Sequence, residues 1–171
     1  MSNQKVTGSN IESLMGMLAS KDSTTRQKAR KSLVVLGKPA VPSLIRTLKD
    51  SKLDHLRWET VKTLSAIGDV RAIPALVKAL EDSNIDVAWL AAEALRKFKK
   101  AAWSALLRTL IKSGEDSVQL RNGVHHVLRN QEEDGFDDLL KNLLLALKSS
   151  AAPESTTIAA NEILKRMKVK L

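Results

Sequence analysis

One apolar motif returns five times along this chain of 171 residues, and its spacing constrains the architecture more than any other feature. Its first leucine is Leu14, Leu44, Leu76, Leu106 and Leu139, at steps of 30, 32, 30 and 33 residues. Leu18, Leu48, Leu80, Leu110 and Leu143 follow one helical turn later, and Ile11, Val41, Ile73, Trp103 and Phe136 stand just before. Apolar side chains at i, i+3, i+4 and i+7 share one face of an amphipathic helix. Each such helix is followed by a second stripe. Thr25, Ala29, Leu33 and Leu36 recur as Leu56, Thr60, Leu64 and Ile67, then as Val87, Ala91, Leu95 and Phe98. Leu120, Val124 and Leu128 continue that stripe in the fourth unit, and Ala160, Leu164 and Met167 in the fifth. A lone helix pair cannot cover its own stripe, whereas units stacked in register bury it on one another.

The predicted fold is therefore all-α, a right-handed α-solenoid of about five stacked helix pairs. The units span about 11–40, 41–72, 73–102, 103–134 and 135–171, and make one repeat domain over 11–171. Residues 1–10 are polar and expected to form a flexible segment. They and the basic last helix read as the two ends of the stack. Pro42 and Pro74 fall in first turns, where a missing N–H costs nothing. Gly37 and Gly68 are placed to close second helices as left-handed caps.

Composition removes several function classes. With no Cys there is no disulfide, thiolate zinc site or thiol catalysis, which fits a reducing compartment. The densest apolar run, Leu143 to Leu147, is far short of the roughly 20 residues a bilayer span needs, and residues 1–10 hold no apolar signal core. A cytoplasmic protein without a membrane partner is expected. No His-Glu dipeptide occurs, and His125 and His126 point about 100° apart on a helix, so no metal or cofactor is predicted. Glycine-rich phosphate loops and serine-nucleophile motifs are missing too, and no catalytic residue is assigned.

The stretch GDVRAIPALVKALED (68–82), with Val87 and AAEAL (91–95), resembles the short HEAT-like repeat first noted in phycobilin lyase subunits. The resemblance covers roughly residues 11–131, with a degenerate fifth unit. It implies that first helices line the convex side and second helices the concave side, where binding positions lie. The arginine that usually follows the apolar start of the second helix is Arg26 and Arg57 here, but Ala88 in the third unit.

Residues beyond the stripes are candidates for function. Trp103, Phe98 and Phe136 hold stripe positions and are expected to be core. Trp58 and Trp89 hold one equivalent position in consecutive units, about 200° round the helix from the core residue at 100° per residue. The resemblance puts that position in the groove. Either the two indoles anchor a protein partner there, or they pack on neighbouring stems such as Lys62 and Arg96. Leu90 adds apolar area, and Glu59, Lys62, Glu93 and Lys97 share the same rows as polar company. Gln27, Lys28 and Lys31 match them in the first unit, and Asn122, Gly123 and His126 in the fourth.

Net charge is +9 but uneven: +6 over residues 1–50, +2 over 51–100, −1 over 101–150 and +2 over 151–171. Arg26, Lys28 and Lys31 in the first repeat are candidate anion-binding groups, and nucleic acid is the alternative partner. Trp89 and Glu93 are also similar to the groove Trp and carboxylate of HEAT-like DNA glycosylases, with Glu where that family has Asp. The leading expectation is a non-catalytic scaffold that binds a protein on the second helices, anchored by Trp58 and Trp89. The other readings are a nucleic-acid-binding module and a regulatory or lyase-type HEAT subunit.

Overall fold

The computed structural model describes residues 2–113, 117–148 and 153–169, and within them every regular element is helical. The first pair is α1 (Ser2–Leu18) and α2 (Ser23–Leu36), the second α3 (Val41–Asp50) and α4 (Asp54–Ile67). In the third, α5 (Ile73–Lys78) runs on as a 3₁₀ turn (Ala79–Glu81) before α6 (Ile85–Lys97). The last two pairs are α7 (Lys100–Ser113) with α8 (Val118–Leu128), and α9 (Asp137–Lys148) with α10 (Pro153–Val169). Residues 2–10 are helical and continuous with the rest of the first unit's opening helix. No proline interrupts them, and they extend α1 from Ser2.

All fifteen residues of the leucine motif are buried, as the stripe requires. The second stripe is buried too at Ala29, Leu33, Leu64, Ala91, Leu95 and Ala160. So are Leu120, Val124 and Leu128, which fixes the register of the fourth unit. Phe98, like its equivalents Leu36 and Ile67, packs against the edge of the core rather than inside it. It is half-buried at the end of α6, where the helix gives way to Lys99 at φ 50°. The second helices α2, α4, α6 and α8 pack in sequence as one row, and α1, α3, α5 and α7 form the other.

Local chemistry sets the breaks. Asp22, Asn84 and Ser117 cap α2, α6 and α8 by accepting backbone N–H groups of the first turn. Gly68 ends α4 in the left-handed conformation expected of it. Gly37 also has positive φ (67°) but ψ of −130°, a region open essentially to glycine alone, so it departs from the predicted left-handed cap. Asp69 accepts the Arg71 backbone N–H at 2.9 Å and its guanidinium at 2.7 and 2.9 Å. Arg71 in turn donates to the Lys38 carbonyl, joining the connections of successive units.

Those bonds, the Arg71 side chain first, hold the Asp69 carboxyl down at about 2. The unfolded value is about 3.9, so this bond's contribution is complete above about pH 4 and fades as pH falls through about 2. An Asp69→Asn variant is expected to melt below the wild type at pH 6. The gap should close as pH falls from about 4 toward 2, which melts at several pH values will check.

The fifth pair departs from the simple stack. There α9 packs on α8, and α10 crosses back onto α7, so the two layers are exchanged. The connection over residues 129–136 carries two positive-φ residues, Asn130 and Gly135, that turn the chain. Arg121 of α8 donates to the carbonyls of Ala146 and Leu147 at the end of α9. Arg166 of α10 donates to the Gly135 carbonyl at 2.8 Å. The second-helix row is therefore extended by α9, rather than by the α10 stripe that the sequence pattern points to.

Candidate functional site

The gaps between neighbouring second helices are built differently along the row. Between α2 and α4, Arg26 and Arg30 converge on Glu59, at 3.4 and 2.5 Å. Arg26 also donates to the carbonyls of Ser20 and Lys21. Glu59 is only 4% exposed, which corrects its expected role as a group facing a partner. It sits one residue beyond Trp58, far enough round α4 to point at α2. Arg26 is likewise spent on internal bonds rather than open to an outside anion, whereas Lys28 and Lys31 are exposed.

One unit further on, Arg57 plays the same part. Arg57 as a whole is 8% exposed, and its guanidinium donates to both oxygens of Asp82 at 2.7 Å, to Asp54 at 2.9 Å and to the Ser51 carbonyl at 3.1 Å. Asp82 also accepts the Asn84 N–H, so one carboxylate sets the turn before α6 and ties it to α4. The hydrogen bonds it donates to Asp82 raise the Arg57 guanidinium further above its ordinary range, against the opposing effect of burial.

Between α6 and α8 the pattern stops. The equivalent residue is Ala88, so no guanidinium fills the gap, and a groove of about 510 Å³ opens there. Leu80, Ala88, Ala92 and Gly123 are its small or buried lining, with Ile85, Trp89, Val118 and His126 around them. Ile85, Trp89 and Val118 are 78%, 57% and 73% exposed, so apolar surface lies open at the rim. Gly123 lets α8 come close. A Cβ there would stand 3.2 Å from the Leu80 side chain.

The polar edge of this groove is internally satisfied. His126 Nε2 donates to Glu93, Arg96 donates to the same carboxylate oxygen at 3.1 Å, and the His126 ring lies 6.1 Å from that of Trp89. The bond from His126, with that from Arg96, holds the Glu93 carboxyl below its usual range. Trp58 is less open than Trp89. It is half-buried, with the Lys62 ammonium 4.0 Å above its ring. The equivalent tryptophans therefore have different surroundings. Leu90 is half-buried against the core, and Lys97 reaches across to Ser65 Oγ of α4 at 3.1 Å.

Sequence reading placed Trp89, Glu93, His126, Asn122 and Gly123 in one neighbourhood, and they do adjoin. It missed Ile85, Val118 and Leu80 as groove residues. The available signal was Ala88, the break in the arginine series, together with bulky aliphatic residues at helix starts. His55 Nε2 is taken by the Ala19 carbonyl, at 3.2 Å. Burial, with Lys148 and Arg129 near, lowers the affinity of His125 for a proton. Among the described residues no three His, Asp or Glu side chains are grouped to hold a metal, and no helix is long and apolar enough to cross a membrane.

Comparison with known proteins bears on this arrangement. A model of HEAT repeats matches residues 11–96 and 54–129. Among solved structures, the complex of CpcE and CpcF of phycocyanin lyase from Nostoc sp. PCC7120 is similar, with a TM-score of 0.61 and 25% identity. That match covers 90% of this chain and 98% of the other. A search of curated proteins finds no match. With matched repeats spanning most of its length and a stack of paired helices to account for them, the chain belongs to the HEAT-repeat family.

Proposed function

We propose that this chain is a non-catalytic scaffold that binds a partner protein across the row of second helices. The groove between α6 and α8 is the anchor point, with Trp89 as its main contact and Trp58 as a flanking one. The observation that carries this reading is the open apolar rim of Ile85, Trp89 and Val118 around a groove of about 510 Å³. Exposed aromatic side chains beside a concavity are the usual hot spots of protein interfaces, because they bury much area at low entropy cost. Leu90, Lys62 and Lys97 flank the contact, while Glu93 supports it by fixing His126 beside Trp89.

The test is a Trp58→Ala/Trp89→Ala variant in quantitative pull-down. Trp89 is exposed and Trp58 is half-buried against the core, so folding is expected to persist with some loss of stability from Trp58, while partner recovery falls by about tenfold or more, the range of a hot-spot loss. Full recovery by a well-folded double variant would exclude the anchor.

A second reading has one observation behind it, the likeness to the phycocyanin lyase complex. In that reading the chain acts as one subunit of a two-subunit, lyase-type assembly. A single stoichiometric protein partner, together with an activity that needs both chains, would favour it.

A further inference from the structure

The sequence count makes the middle of this chain nearly neutral, at +2 over residues 51–100. The surface of the second-helix row is not neutral. Its carboxylates are occupied: Glu59 by Arg26 and Arg30, Asp82 by Arg57, and Glu93 by Arg96 and His126. The lysines are not. Lys28 and Lys31 of α2 are exposed with no carboxylate paired to either among the described residues. Lys62 lies over the Trp58 ring, and Lys97 donates to a serine hydroxyl, with no carboxylate paired to it among the described residues. The exposed carboxylates on the described helices of the row are Asp54 at the start of α4, which is bonded to Arg57 and Asn84, Asp86 near the start of α6, and Asp137 and Asp138 at the start of α9; none of them is on α2.

The Lys62 ammonium is poorly compensated as well as half-buried. Burial lowers its proton affinity first, and the neighbouring Arg30 charge adds to that. A shallow recess lined by Ser23, Thr24, Gln27, Arg30 and Glu59 opens beside it. An incoming carboxylate would find there a surplus of cations over the one glutamate.

We infer that the partner segment seated on this row is acidic at the α2–α4 end and carries a bulky apolar residue at the α6–α8 end. The inference rests on the proposed scaffold function and names the chemistry of its ligand. Charge complementarity selects acidic side chains over Lys28, Lys31 and Lys62. The aliphatic rim of Ile85 and Val118 selects an apolar side chain for the groove, and it favours a polypeptide over a nucleic acid, which offers no aliphatic group larger than a thymine methyl and brings a charged backbone beside it. The two ends lie two helix spacings apart, roughly 16–20 Å. About six residues of extended chain, or about twelve of helix, cross that distance.

The test selects random peptides of about 12 residues, long enough for either conformation, on the full chain. Selected peptides are expected to carry at least two Asp or Glu on one side of a Leu, Phe or Trp. Binding of the best one should weaken by about tenfold in Trp89→Ala, by about tenfold in Lys31→Glu/Lys62→Gln, and steeply with added salt in the wild type. Circular dichroism confirms that both variants fold. Selected peptides without acidic enrichment, bound equally by the lysine variant but lost in Trp89→Ala, overturn the acidic assignment and leave the scaffold reading standing. Binding unaffected by Trp89→Ala, or no selected peptide at all, overturns both. A single-stranded oligothymidylate that displaces the best peptide at lower concentration overturns the polypeptide assignment.

Discussion

Replacing Trp103 with alanine is expected to destabilise the chain by about 3–5 kcal/mol, the range for emptying a large aromatic from a core. At about 2–4 °C per kcal/mol for a domain of this size, the melting temperature should fall by roughly 6–20 °C. Trp103 is fully buried on α7 and packs edge-on against Phe136, ring centroids 5.7 Å apart. Phe136 lies at the entry to α9, so this contact joins the fourth unit to the reversed fifth pair. Loss of the indole would loosen that joint as well as leave a cavity. A Trp103→Phe variant makes the argument sharper. The buried Nε1 has no hydrogen-bond partner among the described residues, so the ring stabilises by packing while its N–H brings a desolvation cost. Phenylalanine should therefore recover most of the loss. Urea unfolding of both variants checks this, and equal losses for Phe and Ala would contradict the packing account.

The second large effect is expected at Arg57. Arg57→Ala removes a buried guanidinium and leaves Asp82, whose side chain is 8% exposed, without its counter-charge. Breaking a buried pair from one side costs about 3–5 kcal/mol, because the remaining ion is uncompensated. Replacing both partners should cost clearly less than the sum of the single losses, since no charge is then stranded. A double-mutant cycle on Arg57 and Asp82, read by urea unfolding, measures this coupling directly. An Arg57→Ala loss within about 0.5 kcal/mol, typical of free surface positions, would mean that the turn before α6 does not depend on this staple.

The helix stack was legible because burial follows period. Every residue of the leucine motif is apolar at the spacing one helical face requires, and each is buried. What the pattern could not show is which neighbour a face meets. The stripe of Ala160 and Leu164 has the same spacing whether α10 lies on α8 or on α7, and the choice depends on the turn over residues 129–136. Glu59 was misplaced for a related reason. A helical wheel puts it beside Trp58, but what buries it are two arginines 33 and 29 residues earlier in the chain. Ala88 was visible as a missing arginine. That the missing side chain leaves a groove follows only once Arg26 and Arg57 are seen filling the equivalent spaces. The charge count shared this limit, since it cannot separate a carboxylate locked against arginine from one that faces solvent.

The most direct test of the account is to put the arginine back. Ala88→Arg places in the groove a side chain that the first and second units accommodate at the equivalent position, in Arg26 and Arg57. The variant is expected to melt close to the wild type and to lose partner capture by about tenfold or more in quantitative pull-down, because the guanidinium takes the space of the anchoring side chain. Capture at the wild-type level, by a variant shown to be folded, would contradict the claim that the gap between α6 and α8 is where the partner is held.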